Sequence, residues 1–167
     1  MEEARRLFDA PCKNQAVRRA SIFSMLTGMR YSDIAKLTWD ELQHSSSEGY
    51  CIRFTQQKTD RPVTLPISDE AAELLGTKTA SHRKIFHDLK KWNVDRVLPV
   101  WISAANIDKH VTFHCFRHTY ATLQMASGTD IFTVSKMLGH KNIKTTQIYT
   151  KIIDERKRET TAKISFR

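Results

Sequence analysis

Three helices in quick succession, each with its own stop, are what the stretch from His114 to Tyr149 asks of any fold that accommodates it. The residues run His114-Cys115-Phe116-Arg117-His118-Thr119-Tyr120-Ala121-Thr122, then Leu138-Gly139-His140, then Tyr149, nine residues after His140. Thr112 and Asp130 are placed to cap helices over Phe113 to Ala126 and Ile131 to Leu138, and Gly128 and Gly139 to end them. A further helix is expected over Ile143 to Tyr149. In the first of these helices His114 and Arg117 fall one turn apart on one face, because residues three and four apart are helix neighbours. They can grip one anion together. The planar fork of Arg117 suits two non-bridging oxygens of a phosphate, where a lysine offers a point charge. His114 and His140 can donate hydrogen bonds or move protons near neutral pH, and Tyr149 carries a hydroxyl able to become a covalent nucleophile.

A second arginine is expected for phosphoryl chemistry, since fixed donors must match the charge on the equatorial oxygens of the transition state. Thr27-Gly28-Met29-Arg30 supplies it. The apolar run Ile22 to Leu26 should end its helix at Gly28, which tolerates the left-handed conformation, and this leaves Arg30 on a tight bend. Ser32 is read as the cap of a short helix from Asp33 to Leu37, with Asp33 as the acid that steadies Arg30 or His114.

Around these segments the chain reads as helix, small sheet, then helices. Met1 to Ala10 is charged and amphipathic, and Asn14 to Thr27 carries Ala16, Val17, Ala20, Phe23 and Leu26 on roughly helical spacing. Trp39 to Leu42, Tyr50 to Gln57 and Pro62 to Ile67 are expected to form a short antiparallel sheet, with Ser45 to Gly49 as a loop. The turn Lys58-Thr59-Asp60-Arg61 then holds Lys58 at a hairpin tip. Ser68 caps Asp69 to Leu75, and Gly76 ends that helix. After a basic, poorly patterned stretch, a helix over Asn93 to Ala105 is expected, kinked or delayed by Pro99. Trp39, Trp92 and Trp101 are assigned to the core, and Tyr31, Tyr50 and Tyr120 to buried positions that do not compete with Tyr149.

The 167 residues suit one compact domain able to bury a substantial core. Against 18 Asp and Glu stand 27 Lys and Arg, a formal charge of +9 that favours a polyanionic partner over an acidic one. Gly76 to His118 alone carries eight basic and three acidic residues with five of the seven histidines, a candidate backbone-contacting surface. Cys12, Cys51 and Cys115 are widely spaced and no secretory leader opens the chain, which points to a reducing, cytoplasmic setting without a disulfide framework. No apolar run approaches the ~20 residues of a membrane span. His110, His114, Cys115 and His118 include an adjacent pair awkward for one tetrahedral ion and lack a paired Cys-x-x-Cys, so no metal and no other cofactor is expected. His118 is read instead as a packed histidine just behind the site.

Taken in order, five segments resemble the catalytic domain of tyrosine recombinases, the phage integrase family, and most of all the integrases of mobile elements. They are Thr27 to Ile34 with Leu37-Thr38-Trp39, then Gln57-Lys58-Thr59 before Val63 to Ile67, His114 to Thr122, Leu138-Gly139-His140, and Thr145 to Tyr149. By this resemblance Arg30, Lys58, His114, Arg117, His140 and Tyr149 fill six catalytic positions, with Asp33 and His118 supporting them. Asp33 departs from the glutamate often found there. The resemblance implies an α+β, mainly α fold with a three-stranded antiparallel sheet at one edge of a helical bundle. It also implies metal-free cleavage of double-stranded DNA through a 3′-phosphotyrosyl link, with Lys58 protonating the leaving 5′ oxygen.

Further expectations follow from the family. The catalytic domain is placed at residues 1–153 and a tail at 154–167, docking in trans on a neighbouring protomer. An N-terminal core-binding domain is expected to be absent from this chain. The partners implied are a tetramer of protomers on paired DNA sites, a monomer when isolated, and accessory directionality factors. Two other readings use the same residues: a type IB topoisomerase that nicks and reseals, and a DNA-binding module that is catalytically idle. The Leu-Gly-His step and the complete set of six residues favour the recombinase.

Overall fold

The computed structural model describes residues 2–149 of the chain and divides into two compact units, broken between His118 and Thr119. The expected tail, 154–167, lies outside the described residues, as does the 153/154 boundary. The first unit holds α1 Glu2–Asp9, α2 Gln15–Thr27, α3 Tyr31–Ile34, a single 3-10 turn at Trp39–Glu41, strands β1 Leu42–Ser45, β2 Gly49–Gln56 and β3 Arg61–Ile67, then α4 Asp69–Glu73 and α5 Lys91–Ala104. Helix α6, Phe113–Ala126, begins in this unit and ends in the second, which continues with α7 Ile131–Met137 and 3-10 turns at Ile143–Thr145 and Gln147–Tyr149.

Local chemistry accounts for most of the ends. Asn14 accepts from the Val17 N–H at 3.0 Å, Ser68 from Ala71 at 3.2 Å, and Asp130 from both Phe132 and Thr133 at 2.9 Å, so all three cap the helices that follow them. The three strands pair antiparallel in the order β1-β2-β3, with Leu42 opposite Ile52 and Ile52 opposite Leu65. Alternation along β2 buries Ile52, Phe54 and Gln56 and exposes Arg53 and Thr55, as a sheet with one covered face requires. Helix α2 lies against α3, α4, α5 and β3, which makes it the central element of the first unit. Its Phe23 meets Phe86 at 5.5 Å between ring centroids, while Trp101 of α5 packs on Phe116 and donates its indole N–H to the Ala10 carbonyl at 3.1 Å. Truncating a Trp buried this fully costs about 3–5 kcal/mol. In the second unit Tyr120, Ala121, Met125, Val134, Leu138 and Tyr149 form a small core of their own.

Four expectations are corrected. The strand expected over Trp39 to Leu42 is a 3-10 turn, because Glu41 folds back to accept from the Thr38 N–H and hydroxyl, each at 2.8 Å; pairing starts only at Leu42. Ser32 does not cap a helix: α3 starts at Tyr31 and Arg30 takes the capping position. Trp92 is 62% exposed, on the open face of α5 with Arg96 over its ring, and α5 begins at Lys91 without waiting for Pro99. The helix expected over Ile143 to Tyr149 is two 3-10 turns, broken at Thr146.

Candidate active site

Arg30 owes its position to the bend that ends α2. Gly28 sits at φ 69° in the left-handed region, its N–H still donating to the Ser24 carbonyl at 2.9 Å. The buried side chains on either side close the bend. The Ser24 hydroxyl donates to the Met29 carbonyl at 2.8 Å, and the Thr27 hydroxyl donates to the Phe23 carbonyl while accepting from the Met29 N–H. Arg30 then opens α3, its carbonyl accepting from the N–H groups of Asp33 and Ile34. The residue is half-buried, and among the described residues nothing hydrogen-bonds its shielded Nη1. A charged donor in that condition is costly unless something anionic meets it.

Arg117 approaches the same bend from α6. It is 3% exposed and donates from Nη1 to the Gly28 carbonyl at 2.5 Å. The bond ties the second arginine to the turn that carries the first. One helical turn before it, His114 lies edge-on to His118, with ring centroids 4.6 Å apart. The pKa of His114 is held below the ordinary histidine value, chiefly by partial loss of water around the ring, then by the charges of His118, Arg117, Arg30 and Lys58. Burial first, and Arg117 second, lower His118 as well. At neutral pH both rings are therefore neutral, so His114 can either accept or donate a proton. Arg117 is tied by geometry to the bend that carries Arg30, and His114 lies where the charges of both arginines and of Lys58 lower its pKa.

Lys58 is exposed on the turn between β2 and β3. Asp60 adopts φ 50° and donates its N–H to the Gln56 carbonyl at 2.9 Å, while the Thr59 hydroxyl donates to the Gln56 side chain at 2.8 Å. The buried Asp33 carboxylate, expected to steady Arg30 or His114, instead accepts from the backbone N–H of Gln57 at 2.9 Å.

In the second unit, the Leu-Gly-His step is the end of α7. Gly139, at φ 64°, donates to the Lys136 carbonyl at 2.9 Å, and the next residue, His140, donates from its backbone to the Ser135 carbonyl at 3.0 Å. This pair of bonds is the Schellman stop, and it fixes where the His140 side chain leaves the helix. The imidazole Nδ1 shares a hydrogen bond with the Thr146 hydroxyl at 2.8 Å, which fixes the orientation of the ring. Thr146 was missed in the sequence, where a threonine six residues after a histidine carries no signal of its own. Its carbonyl also accepts from the Tyr149 N–H at 3.1 Å, so Thr146 supports both His140 and the turn carrying Tyr149. Tyr149 itself is 8% exposed and packs in the core of this unit.

A cationic cluster built on a glycine bend, with a helix-stop histidine and a tyrosine following it, defines a class, and the comparison with known families agrees. The chain belongs to the phage integrase family, whose model it matches over residues 1–156. Among relatives, it is 29% identical to the tyrosine recombinase XerD of Halalkalibacterium halodurans over 178 residues, covering 95% of this chain and 58% of the relative. It is likewise 29% identical to the tyrosine recombinase XerA of Pyrococcus horikoshii over 140 residues, covering 79% of this chain and 49% of that one. It thus spans about half the length of these curated relatives. Its fold is that of the catalytic domain of bacteriophage HP1 integrase, with a TM-score of 0.71 at 24% identity, covering 94% of this chain and 90% of the other. The XerH site-specific recombinase bound to a palindromic difH substrate, in a post-cleavage complex, gives a TM-score of 0.74 at 18% identity, over 97% of this chain and 50% of that one.

Proposed function

We propose that this chain supplies the catalytic part of a site-specific DNA recombinase, which cuts and rejoins strands through a 3′-phosphotyrosyl link. Tyr149 attacks the phosphorus and displaces the 5′ oxygen; Arg30 and Arg117 hold the non-bridging oxygens. His114 takes up the tyrosine proton, His140 adds a donor, and Lys58 gives a proton to the leaving oxygen. Tyrosine has an ordinary pKa of ~10, so attack at neutral pH needs a base or a cationic surround, and these side chains provide both. Because the link keeps the energy of the broken bond, a 5′ hydroxyl from another strand can reverse the step. Double-stranded DNA is the partner this implies, in keeping with the +9 charge of the chain. Assembly as a tetramer on paired sites, and a monomeric state in isolation, belong to the same reading.

One observation carries the proposal. Arg30, Lys58 and Arg117 converge electrostatically on His114, with a buried Arg30 nitrogen lacking a partner among the described residues and Arg117 locked to the bend beside it. The test is incubation with a nicked duplex bearing the protein's own crossover sequence. An SDS-resistant adduct that maps to Tyr149 is expected, and an adduct mapping to Tyr120, or none at all, overturns the assignment.

A further inference from the structure

A general acid on a hairpin tip raises a physical difficulty. Such tips open easily and their backbone is weakly held, yet proton donation requires placement within hydrogen-bond reach of the leaving atom. Lys58 sits at such a tip with an exposed side chain. Its neighbour Gln57, however, is held at two points. The backbone N–H of Gln57 donates to Asp33 Oδ1 at 2.9 Å, and the Gln57 side-chain carbonyl accepts from the Lys36 ammonium.

Both clamping residues come from the segment that Arg30 opens. Asp33 lies within α3, three residues after Arg30, and Lys36 follows three residues later, where its N–H still donates to the Asp33 carbonyl at 3.2 Å. Asp33 is only 4% exposed, and among the described residues it forms no ion pair. A buried carboxylate whose partner is one distant backbone N–H costs desolvation that a neutral side chain would avoid. What it secures is the position of that N–H, through a charge-assisted bond stronger than a neutral one. On the far side of Lys58 the turn is closed by Gln56, whose carbonyl accepts from Asp60 and whose side chain accepts from Thr59. The backbone of Lys58 is thereby fixed from both directions while its long side chain stays free to reach.

We propose that Asp33 and Lys36 are positioning residues for Lys58, acting through Gln57, so that α3 makes the Arg30 bend and the Lys58 hairpin one mechanical piece. The inference rests on the reading of Lys58 as general acid. Asp33 thus serves the leaving-group side of the reaction, not the oxygen-holding side next to it in sequence. Lys36, which no recombinase motif accounts for, joins it.

The test separates the leaving-group step from all others. Nicked suicide duplexes of the crossover sequence are prepared with oxygen or with sulfur at the bridging 5′ position; a sulfur leaving group departs without a proton. Lys58→Ala serves as the reference and is expected to be slow on oxygen and near normal on sulfur. Asp33→Ala is expected to lose about a hundredfold on oxygen, within the range of general acid catalysis, and to recover to within a few-fold on sulfur. The double variant should be no slower than Lys58→Ala alone, and Lys36→Met should lose a few-fold on oxygen only. Asp33→Asn, which retains an acceptor, guards against a folding defect and should keep most of the rate. Amide exchange supplies a readout independent of DNA: protection of the Gln57 N–H should fall at least tenfold in Asp33→Ala, with that of Leu98 and Trp101 unchanged. Asp33→Ala equally slow on both duplexes beside a rescued Lys58→Ala overturns the clamp alone. Failure to rescue Lys58→Ala overturns the general-acid reading and the clamp with it.

Discussion

In the first unit the arginines are fixed by main-chain atoms of long, buried elements: Arg30 by the closed bend at the end of the thirteen-residue α2, Arg117 by the Gly28 carbonyl. In the second unit His140 and Tyr149 follow the seven-residue α7 and stand on or beside 3-10 turns of three residues each, with the hydroxyl of Thr146 supporting one and its carbonyl the other, and Tyr149 packed in the small core of that unit. Turns of that kind have poorer hydrogen-bond geometry and low local stability. Arg30 and Arg117 are thus set by interactions of the long buried elements, whereas His140 and Tyr149 stand on short elements at the end of α7. Substitutions in the first group should damage stability and catalysis together; those in the second should damage catalysis and leave the fold nearly untouched.

The sharpest division comes from Tyr149→Phe. Loss of the hydroxyl should remove the covalent adduct altogether, below any detectable rate, while the melting temperature stays within a degree or two of the parent. A large fall in melting temperature would show that the phenol hydroxyl is structural and blur the contrast. Arg117→Ala is the counterpart. It should slow cleavage by about a hundred- to a thousandfold, in line with the removal of a transition-state donor. It should also cost about 1–3 kcal/mol in chemical denaturation, because the Gly28 carbonyl loses a buried partner. Arg117→Ala with unchanged stability would break the comparison at its firmer end.

A smaller effect is expected from Thr146→Val, which keeps the shape but removes the partner of His140 Nδ1. A loss of about tenfold in cleavage is expected, the lower end of what outer partners of a functional histidine contribute, and Thr146→Ser should restore the rate. Equal losses in the valine and serine variants would assign Thr146 to packing. The smallest effect concerns pH. His114 and His118 have folded-state pKa values below the ordinary one, so the unfolded chain takes up protons first as the solution is acidified. Their contribution to stability is fully present above pH ~6.5 and is lost as pH falls below it towards the folded-state values. Melting curves between pH 7.5 and 5 should show this, with a shallower slope in His118→Gln. An unchanged slope would mean that neither burial nor Arg117 lowers His118 on folding.

What was legible in the sequence was whatever short-range chemistry decides. Ser68 and Asp130 cap helices because their side chains reach N–H groups two or three residues on, and Gly28 and Gly139 stop helices because they take up positive φ; both follow from residue type and spacing. The turn at Trp39–Glu41 misled because Trp39 and Leu42 frame a short segment just ahead of two clear strands, while the deciding contact is Glu41 folding back on Thr38. Asp33 was singled out but given the wrong partner, since Gln57 is 24 residues away and only the tertiary fold brings its N–H to the carboxylate. Trp92 was assigned to the core on residue type alone, yet its place on α5 faces outward.

The bond from Arg117 to Gly28 ends on a carbonyl oxygen, an atom that every residue type carries. No side-chain replacement at position 28 can delete that acceptor; it can only fail to adopt the left-handed backbone that aims it. Drift is open to side chains outside the bend, while the Ser24 and Thr27 hydroxyls that close it are held to their type. Divergence down to 18% identity with the backbone still superposing at a TM-score of 0.74, as with XerH, is what such wiring permits.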